Sequence, residues 1–507
     1  MPRSSRIELL SWTRRDWLKA TGAAVVTSLS FRNAAAESGE AADVWSLQAT
    51  AHDRRVDLRW TADWNTQRAG FLVYRARHEG GPFECLTASP HQGCVFSDFV
   101  GENDSTFHYR ITDAEGKRPS AIVSAVPRAM GEEELLTSVQ EATFRYFWDY
   151  GHPVSGLAFE RARSGRLPDL QRRAACASGG TGFGLMAMMV GAERGFVSRA
   201  DAAARVLKIV AFLQEKARRY HGAWAHWIDG RTGETIPFDR EGIDDGADLV
   251  ETSFLMQGML AVRGYFDRSN AVETEIRERI TQLWHEVEWD FFTQRPDEKR
   301  LYWHWSPNHG WKKNLPIVGY NECMITYLLA IASPTHPIPP DCYEKGWAGR
   351  PRYRNGNTYY GYVLPVGKPM GGPLFWTHYS FMGFDPRRWQ DRYCNYFDNC
   401  RRTALIHHAY AKANPARHKD YGPTVWGLTA CDGPDGYAAR DPLRDDGTVA
   451  PTAALGSMPY TPDESIAAFK HYYYEYGGRL WGEFGFRDAF NIDRDWFANS
   501  YIAIDQG

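Results

Sequence analysis

The chain has 507 residues, more than one ordinary domain holds, and its 43% hydrophobic content is enough to fill large cores. Its formal net charge is −3 and it carries no basic face, which makes nucleic acid an improbable partner. Aromatic residues reach 14%, with 19 Trp; that excess suits either bulky helical cores or a site that stacks on flat ligand faces, sugars among them.

Residues 1–36 read as a targeting segment. Thr13-Arg14-Arg15-Asp16-Trp17-Leu18-Lys19 has the paired arginines of a twin-arginine export signal, Ala20 to Ser30 a short apolar stretch, and Ala34-Ala35-Ala36 a small-residue cleavage site. The expectation is a periplasmic or secreted protein whose mature chain carries a net charge of about −7. No later stretch supplies the roughly 18 uninterrupted apolar residues of a membrane span. The eight cysteines include two close pairs, Cys85/Cys94 and Cys394/Cys400, that are candidates for local bridges in an oxidising compartment. No C-x-x-C pair marks a structural zinc site, and no cofactor or metal is expected.

Residues 37–43 read as a linker. From 44 to 127 the pattern is one of short alternating runs, Val56–Trp60, Gly70–Ala76 and Thr106–Ile111, separated by turn-formers, which predicts a β-sandwich. These runs, Leu58 and Trp60 in an early strand, Gly70 to Arg75 in a middle one and Tyr109-Arg110-Ile111 near the end, resemble a fibronectin type III domain. From Gly131 onward helical spacing dominates. Helices are expected from about 132, after Ser198, from Glu251 to about Phe266, from Asn270 to Phe292, and near 318–333, 386–413 and 462–477, the last capped by Thr461. Ten to twelve helices without a fixed-period repeat predict an α/α toroid over residues 131–507.

Candidate chemistry lies in acids at unusual places. Asp244, Asp248 and Glu251 fall four and then three residues apart before an apolar run, which on a helix puts them on one face; helix capping is the plainer alternative. Glu322 heads another apolar run, where burial would raise its pKa towards that of a general acid. Asp432 lies with Asp435 in a tight Thr429–Tyr437 loop, where Asp commonly serves turn chemistry, and Asp488 follows Arg487, which could hold it ionised. Aromatic loops containing Trp303 and Trp305, and Trp376, His378 and Tyr379, would line a groove, with Tyr320 beside Glu322. Gly179–Gly184 lacks the Lys-Ser/Thr of a phosphate loop and reads instead as a close helix approach.

In combination, Asp244…Asp248-Leu249…Glu251-Thr252, Gly319-Tyr320-Asn321-Glu322, Gly371–Phe375 with Thr377–Ser380, Trp426-Gly427-Leu428 leading to Asp432-Gly433, and Trp481–Asn491 closing on Ile504–Gly507 resemble the bacterial glucoamylase-like family that contains the endo-β-1,2-glucanases (glycoside hydrolase family 144). The resemblance implies an (α/α)6 barrel, hydrolysis of β-1,2-glucan, Glu322 as general acid, and Asp244, Asp248 and Glu251 lining the cleft. Inversion is the expected course, with acid and base about 6.5–9.5 Å apart. Two other readings stay open: a non-catalytic periplasmic glucan-binding protein, and a lyase or transglycosylase acting on another β-glucan.

Overall fold

The computed structural model describes residues 45–295, 297–349 and 353–507; the segments expected to be an export signal and a linker lie outside them. Seven strands form two facing sheets. One contains β1 (Gln48–His52), β2 (Arg55–Arg59) and β5 (Val95–Asp98) in the order β1-β2-β5. The other runs β4-β3-β6-β7, from β3 (Phe71–Ala76), β4 (Glu84–Cys85), β6 (Phe107–Asp113) and β7 (Val123–Ala125). A short helix α1 (Trp64–Ala69), capped by Asp63, joins the sheets. Alternate residues of each strand, Val56, Leu58, Phe71, Val73, Phe107, Tyr109 and Ile111, meet between the sheets, as a period of two requires.

On β2 the alternation fails, because Arg55 and Asp57 are buried as well. They face the helical domain. Arg55 is held by both Asp57 oxygens at 2.9 and 3.1 Å, lies 4.2 Å from the ring centre of Trp481, and donates to the Tyr473 hydroxyl. Burial would push the Asp57 carboxyl up, but Arg55 and His52 hold it well below the usual range. Buried charges persist only when paired in this way.

The helical domain has an enclosed inner set: α3 (Ser178–Glu193), α5 (Leu249–Tyr265), α7 (Met324–Ala332), α8 (Phe375–His378), α10 (Pro451–Gly456) and α12 (Ala503–Gln506). Around it pack the amphipathic helices α2 (Glu132–Trp148), α4 (Arg199–Glu215), α6 (Ala271–Glu286), α9 (Tyr396–Ala413) and α11 (Pro462–Leu480). Contacts tie the inner set together. Gln257 of α5 donates to the Tyr379 carbonyl, Ser380 accepts from the Ile325 amide of α7, and Tyr379 donates to Asp505 of α12.

The glycine-rich run is the closest of these approaches. A Cβ on Gly182 would sit 2.2 Å from the Phe254 carbonyl oxygen, and one on Gly258 2.0 Å from that of Gly182. The run therefore serves helix packing, as its sequence suggests. Gly182→Ala is expected to cost about 3 kcal/mol, the upper end of overpacking penalties, read as a lowered urea midpoint at unchanged slope.

Several sequence boundaries move. The helix expected over 386–413 is a 3-10 turn, Pro386–Arg388, followed by α9 from Tyr396, with Asn395 as its cap. The one expected to end at Phe292 stops at Glu286 and continues as a 3-10 turn, Trp289–Thr293. Thr461 does not cap α11; its hydroxyl donates back to the Ser457 carbonyl. Ser198 does cap α4. Cys85, Cys94, Cys394 and Cys400 are all free thiols, so neither candidate bridge is formed. Among the described residues no helix is long and apolar enough to cross a membrane.

Candidate active site

The acids of α5, α7 and α12 occupy the heads of inner helices, where the helix dipole favours negative charge. Asp244, Asp248 and Glu251 do not share a helical face, because α5 begins only at Leu249. Asp248 is its cap, accepting from the Val250 and Glu251 amides at 3.0 and 2.9 Å. The preceding residues Ala247 and Asp248 pair as a strand with Trp305 and His304, which draws the aromatic loop 301–305 over the head of α5.

Asp244 lies outside the helix and is committed to ion pairs, 3.1 Å from His304 Nε2 and 2.5 Å from Lys313 Nζ. Burial works against its charge, but the hydrogen bonds from His304 and the Lys313 ammonium keep its carboxyl below the ordinary range. It is a fixed anion bracing two loops, and the direct catalytic role expected for it gives way to that.

Glu251 and Asp248 form a charged triad with His226. The imidazole Nδ1 lies 3.2 Å from Asp248 Oδ2, and the ring stacks on Phe238 at 3.8 Å. Glu251 accepts from the Gly179 amide at 2.8 Å, a contact that a Cβ on Gly179 would obstruct. Burial lifts Glu251 to about 7, with His226 opposing and Asp248 and Glu160 adding to the rise. Burial disfavours the His226 cation, but Glu251 and Asp248 outweigh it and raise the ring to about 10.

A histidine pKa raised on folding adds stability that is complete below the unfolded value, about 6.5, and is lost as pH rises through about 10. The wild-type melting temperature should therefore fall more steeply between about pH 7 and 10 than that of His226→Gln, which has nothing to titrate there. Parallel curves would remove the charge assignment.

Glu322 is not a cap: Cys323 precedes α7 without a side-chain capping bond. Its Oε2 is buried with no hydrogen-bond partner, and burial raises the carboxyl to about 7, with Lys368 as the nearest opposing charge. The neighbouring Cys323 thiol feels Glu322, Asp248 and Glu251 together, so the heads of α5 and α7 lie close to one another.

A second acid group faces in from the C-terminal segments. Asp488 accepts from the Asp432 amide at 2.6 Å, and burial raises it to about 7. Asp505 is pushed well above the ordinary carboxyl range by burial and by Asp488, and Tyr379 donates to it at 2.9 Å. Asp432 is held by Arg161 and by the Ser500 hydroxyl. The cation facing Asp488 is Arg161; Arg487, expected in that role, turns to the Arg479 carbonyl and Ser164.

Trp303 and Trp305 are half-buried, with Trp305 edge-on to His221 at 4.9 Å. Trp376 is half-buried beneath Lys368 Nζ, 4.3 Å from its ring centre. Tyr320 is enclosed between Tyr396, Tyr353 and Trp347, which makes it a core residue and not a ligand surface. His378 is tied to Ser457 and stacked with Tyr460, and Tyr379 is spent on Asp505. Sequence reasoning missed Glu160, Arg161 and His226, which sit on loops or at the end of a three-residue strand too short to show periodicity. It quoted Asp505 only as part of a terminal motif.

Several buried acids raised to about 7, with half-buried indoles near the heads of the inner helices, fit the class of the polysaccharide hydrolases. The glycoamylase family model, described as "Putative glucoamylase", matches residues 314–507. A curated exo beta-1,2-glucooligosaccharide sophorohydrolase (non-reducing end) of Parabacteroides distasonis is 42% identical over 482 residues; the match spans 90% of this chain and 66% of that relative's length. A beta-1,2-glucanase structure from Parabacteroides distasonis superposes with a TM-score of 0.84 at 41% identity, covering 91% of this chain and 68% of that one. The endo-beta-1,2-glucanase of Chitinophaga pinensis, solved with sophorotriose and glucose, does so with a TM-score of 0.71 at 46% identity, covering 75% and 91%. The chain belongs to the glucoamylase-like glycoside hydrolase family that includes the β-1,2-glucanases, family 144.

Proposed function

We propose that this protein hydrolyses β-1,2-glucan by single displacement, with Glu322 donating the proton to the departing oxygen and Asp488 accepting one from the attacking water. One observation carries the donor: Glu322 presents a buried carboxyl oxygen with no protein partner, at a pKa of about 7, so about half of it still carries the proton at neutrality, where an ordinary glutamate has lost it. Asp488 is favoured as the base because the Asp432 amide orients it at 2.6 Å and the Arg161 charge favours its ionised form. Glu251, Asp248 and Glu160 would meet sugar hydroxyls, with Trp303, Trp305 and Trp376 as stacking faces. The relatives' activities support the linkage.

The helical domain is read as an (α/α)6 barrel, its last inner helices short. The strand orders β1-β2-β5 and β4-β3-β6-β7 support a fibronectin type III sandwich before it. The paired arginines at 14 and 15 support export to the periplasm or beyond.

Incubation of the mature protein with β-1,2-, β-1,3- and β-1,4-glucans, with products separated by thin-layer chromatography, tests the activity. Sophorose or short sophorooligosaccharides from the β-1,2 polymer alone are expected. Calorimetric binding without reducing-end release would make it a glucan-binding protein. A product absorbing in the ultraviolet would make it a lyase, and chains longer than the substrate a transglycosylase.

A further inference from the structure

Glu160 and Arg161 lead into a short strand whose start is held by the helical domain: the Glu160 amide donates to the Ala175 carbonyl at 2.9 Å, and Ala162 is fully buried in the core. The strand Arg161–Arg163 pairs with Ser500–Ile502, and the Ser164 amide continues to the Asn499 carbonyl. What holds its far end comes from two sources. Within the helical domain, the buried Glu483 carboxylate accepts from the Gly165 amide at 2.7 Å and the Ser164 hydroxyl at 2.8 Å. From the sandwich, the Gln92 amide donates to the Gly165 carbonyl at 2.9 Å, and Gln92 Oε1 accepts from the Leu167 amide at 2.8 Å. Gln92 is itself anchored by donating to the Arg68 carbonyl at 2.7 Å, and Arg68 pairs with Asp169 at 2.8 Å. Gly165 has a left-handed φ of +67°, and a Cβ there would meet the His91 ring of the sandwich at 2.9 Å. The two domains thus touch through backbone hydrogen bonds at this segment, one strand away from the cleft.

The other end of that strand enters the site. Arg161 pairs with Asp432 and faces Asp488, and the Glu160 carboxylate acts on His226, Glu251 and Asp505. The Glu160 carbonyl also accepts from the Ala503 amide at the head of α12, at 3.0 Å.

We propose that the β-sandwich is a positioning brace for the active site, acting through Gln92 on residues 164–167 and so on the placement of Glu160 and Arg161. Gln92 is a positioning residue; it reaches the cleft only through the strand it holds. The inference rests on the hydrolase reading for its kinetic consequences but not for its structural one.

The test uses the full mature protein and Gln92→Ala, with Gln92→Glu as the conservative variant that keeps the Leu167 acceptor. Hydrogen exchange by mass spectrometry should show residues 160–169 exchanging at least about tenfold faster in Gln92→Ala and less so in Gln92→Glu, which keeps the Leu167 acceptor but loses the donor to the Arg68 carbonyl. In the kinetics, kcat should fall several-fold in Gln92→Ala, and the acid limb of the pH profile should move upward. The direction follows from Arg161, whose charge favours ionised Asp488; the other groups facing Asp488 are Asp432, Asp505, Tyr437 and Cys431, none of them a cation. Unchanged exchange over 160–169 would overturn the brace whatever the activity. Faster exchange with an unmoved acid limb and unchanged kcat would overturn its link to the site. A wild-type protein inactive on every glucan would refute the hydrolase reading while leaving the exchange result to decide the brace.

Discussion

Glu322→Gln is expected to retain the wild-type fold and to lose about 10²–10⁴-fold in hydrolysis of β-1,2-glucan, the contribution of a positioned general acid. The amide is isosteric but cannot donate a proton to the departing sugar oxygen. The fold should not suffer, because the Oε2 it replaces has no hydrogen bond to lose. Stability should even rise at alkaline pH. A carboxyl raised on folding from 4.5 to about 7 costs stability as pH climbs through that window, and the amide removes the cost. Two readouts separate loss of the acid from general damage. The alkaline limb of the activity profile, set by Glu322 ionising near pH 7, should vanish in the variant. Aryl glycosides whose leaving groups need no proton should keep most of their rate. Near-normal activity on the polymer would remove Glu322 from the mechanism.

Asp488→Asn is the second large effect, again about 10²–10⁴-fold in kcat, because a single displacement needs a base to take the water proton. Here the acid limb is the informative one. Asp488 must be ionised to act, and its burial sets that step at about 7. With the donor also at about 7, the wild-type profile should be a narrow bell centred near neutrality, with only about a quarter of the enzyme in the productive protonation state at its peak. Asp488→Asn should lose the acid limb and keep the alkaline one, the reverse of Glu322→Gln. If Asp488→Asn is nearly silent and Glu251→Gln is not, the base is Glu251.

The sequence carried the helix-rich half well because its information is local. The periodic apolar residues of α2, α4 and α11 and the Ser198 cap are readable within a turn or two. Glu322 was legible for the same reason, as an acid set against an apolar run with nothing beside it to neutralise it. Spacing failed where partners come from afar. Asp244 looks like a helix-face acid until His304 and Lys313, some sixty residues on, claim it. Tyr320 looks like a cleft residue until Trp347, Tyr353 and Tyr396 close around it. Asp488 appears paired with its neighbour Arg487, yet its cation is Arg161, more than three hundred residues earlier. Glu160 carried no signal at all, since a lone acid in an irregular loop looks like any surface residue.

The Arg55–Trp481 contact bears on how such enzymes can be rearranged. Cutting the chain at Gly131 would leave the Trp481 and Tyr473 faces open to water and strip them of the guanidinium that covers them. The sandwich is therefore not a cassette that can be moved between enzymes at its linker. A chimera that exchanges it must carry the whole Arg55–Asp57–His52 cluster with the matching α11 surface, or it will gain a sticky aromatic patch in place of a domain.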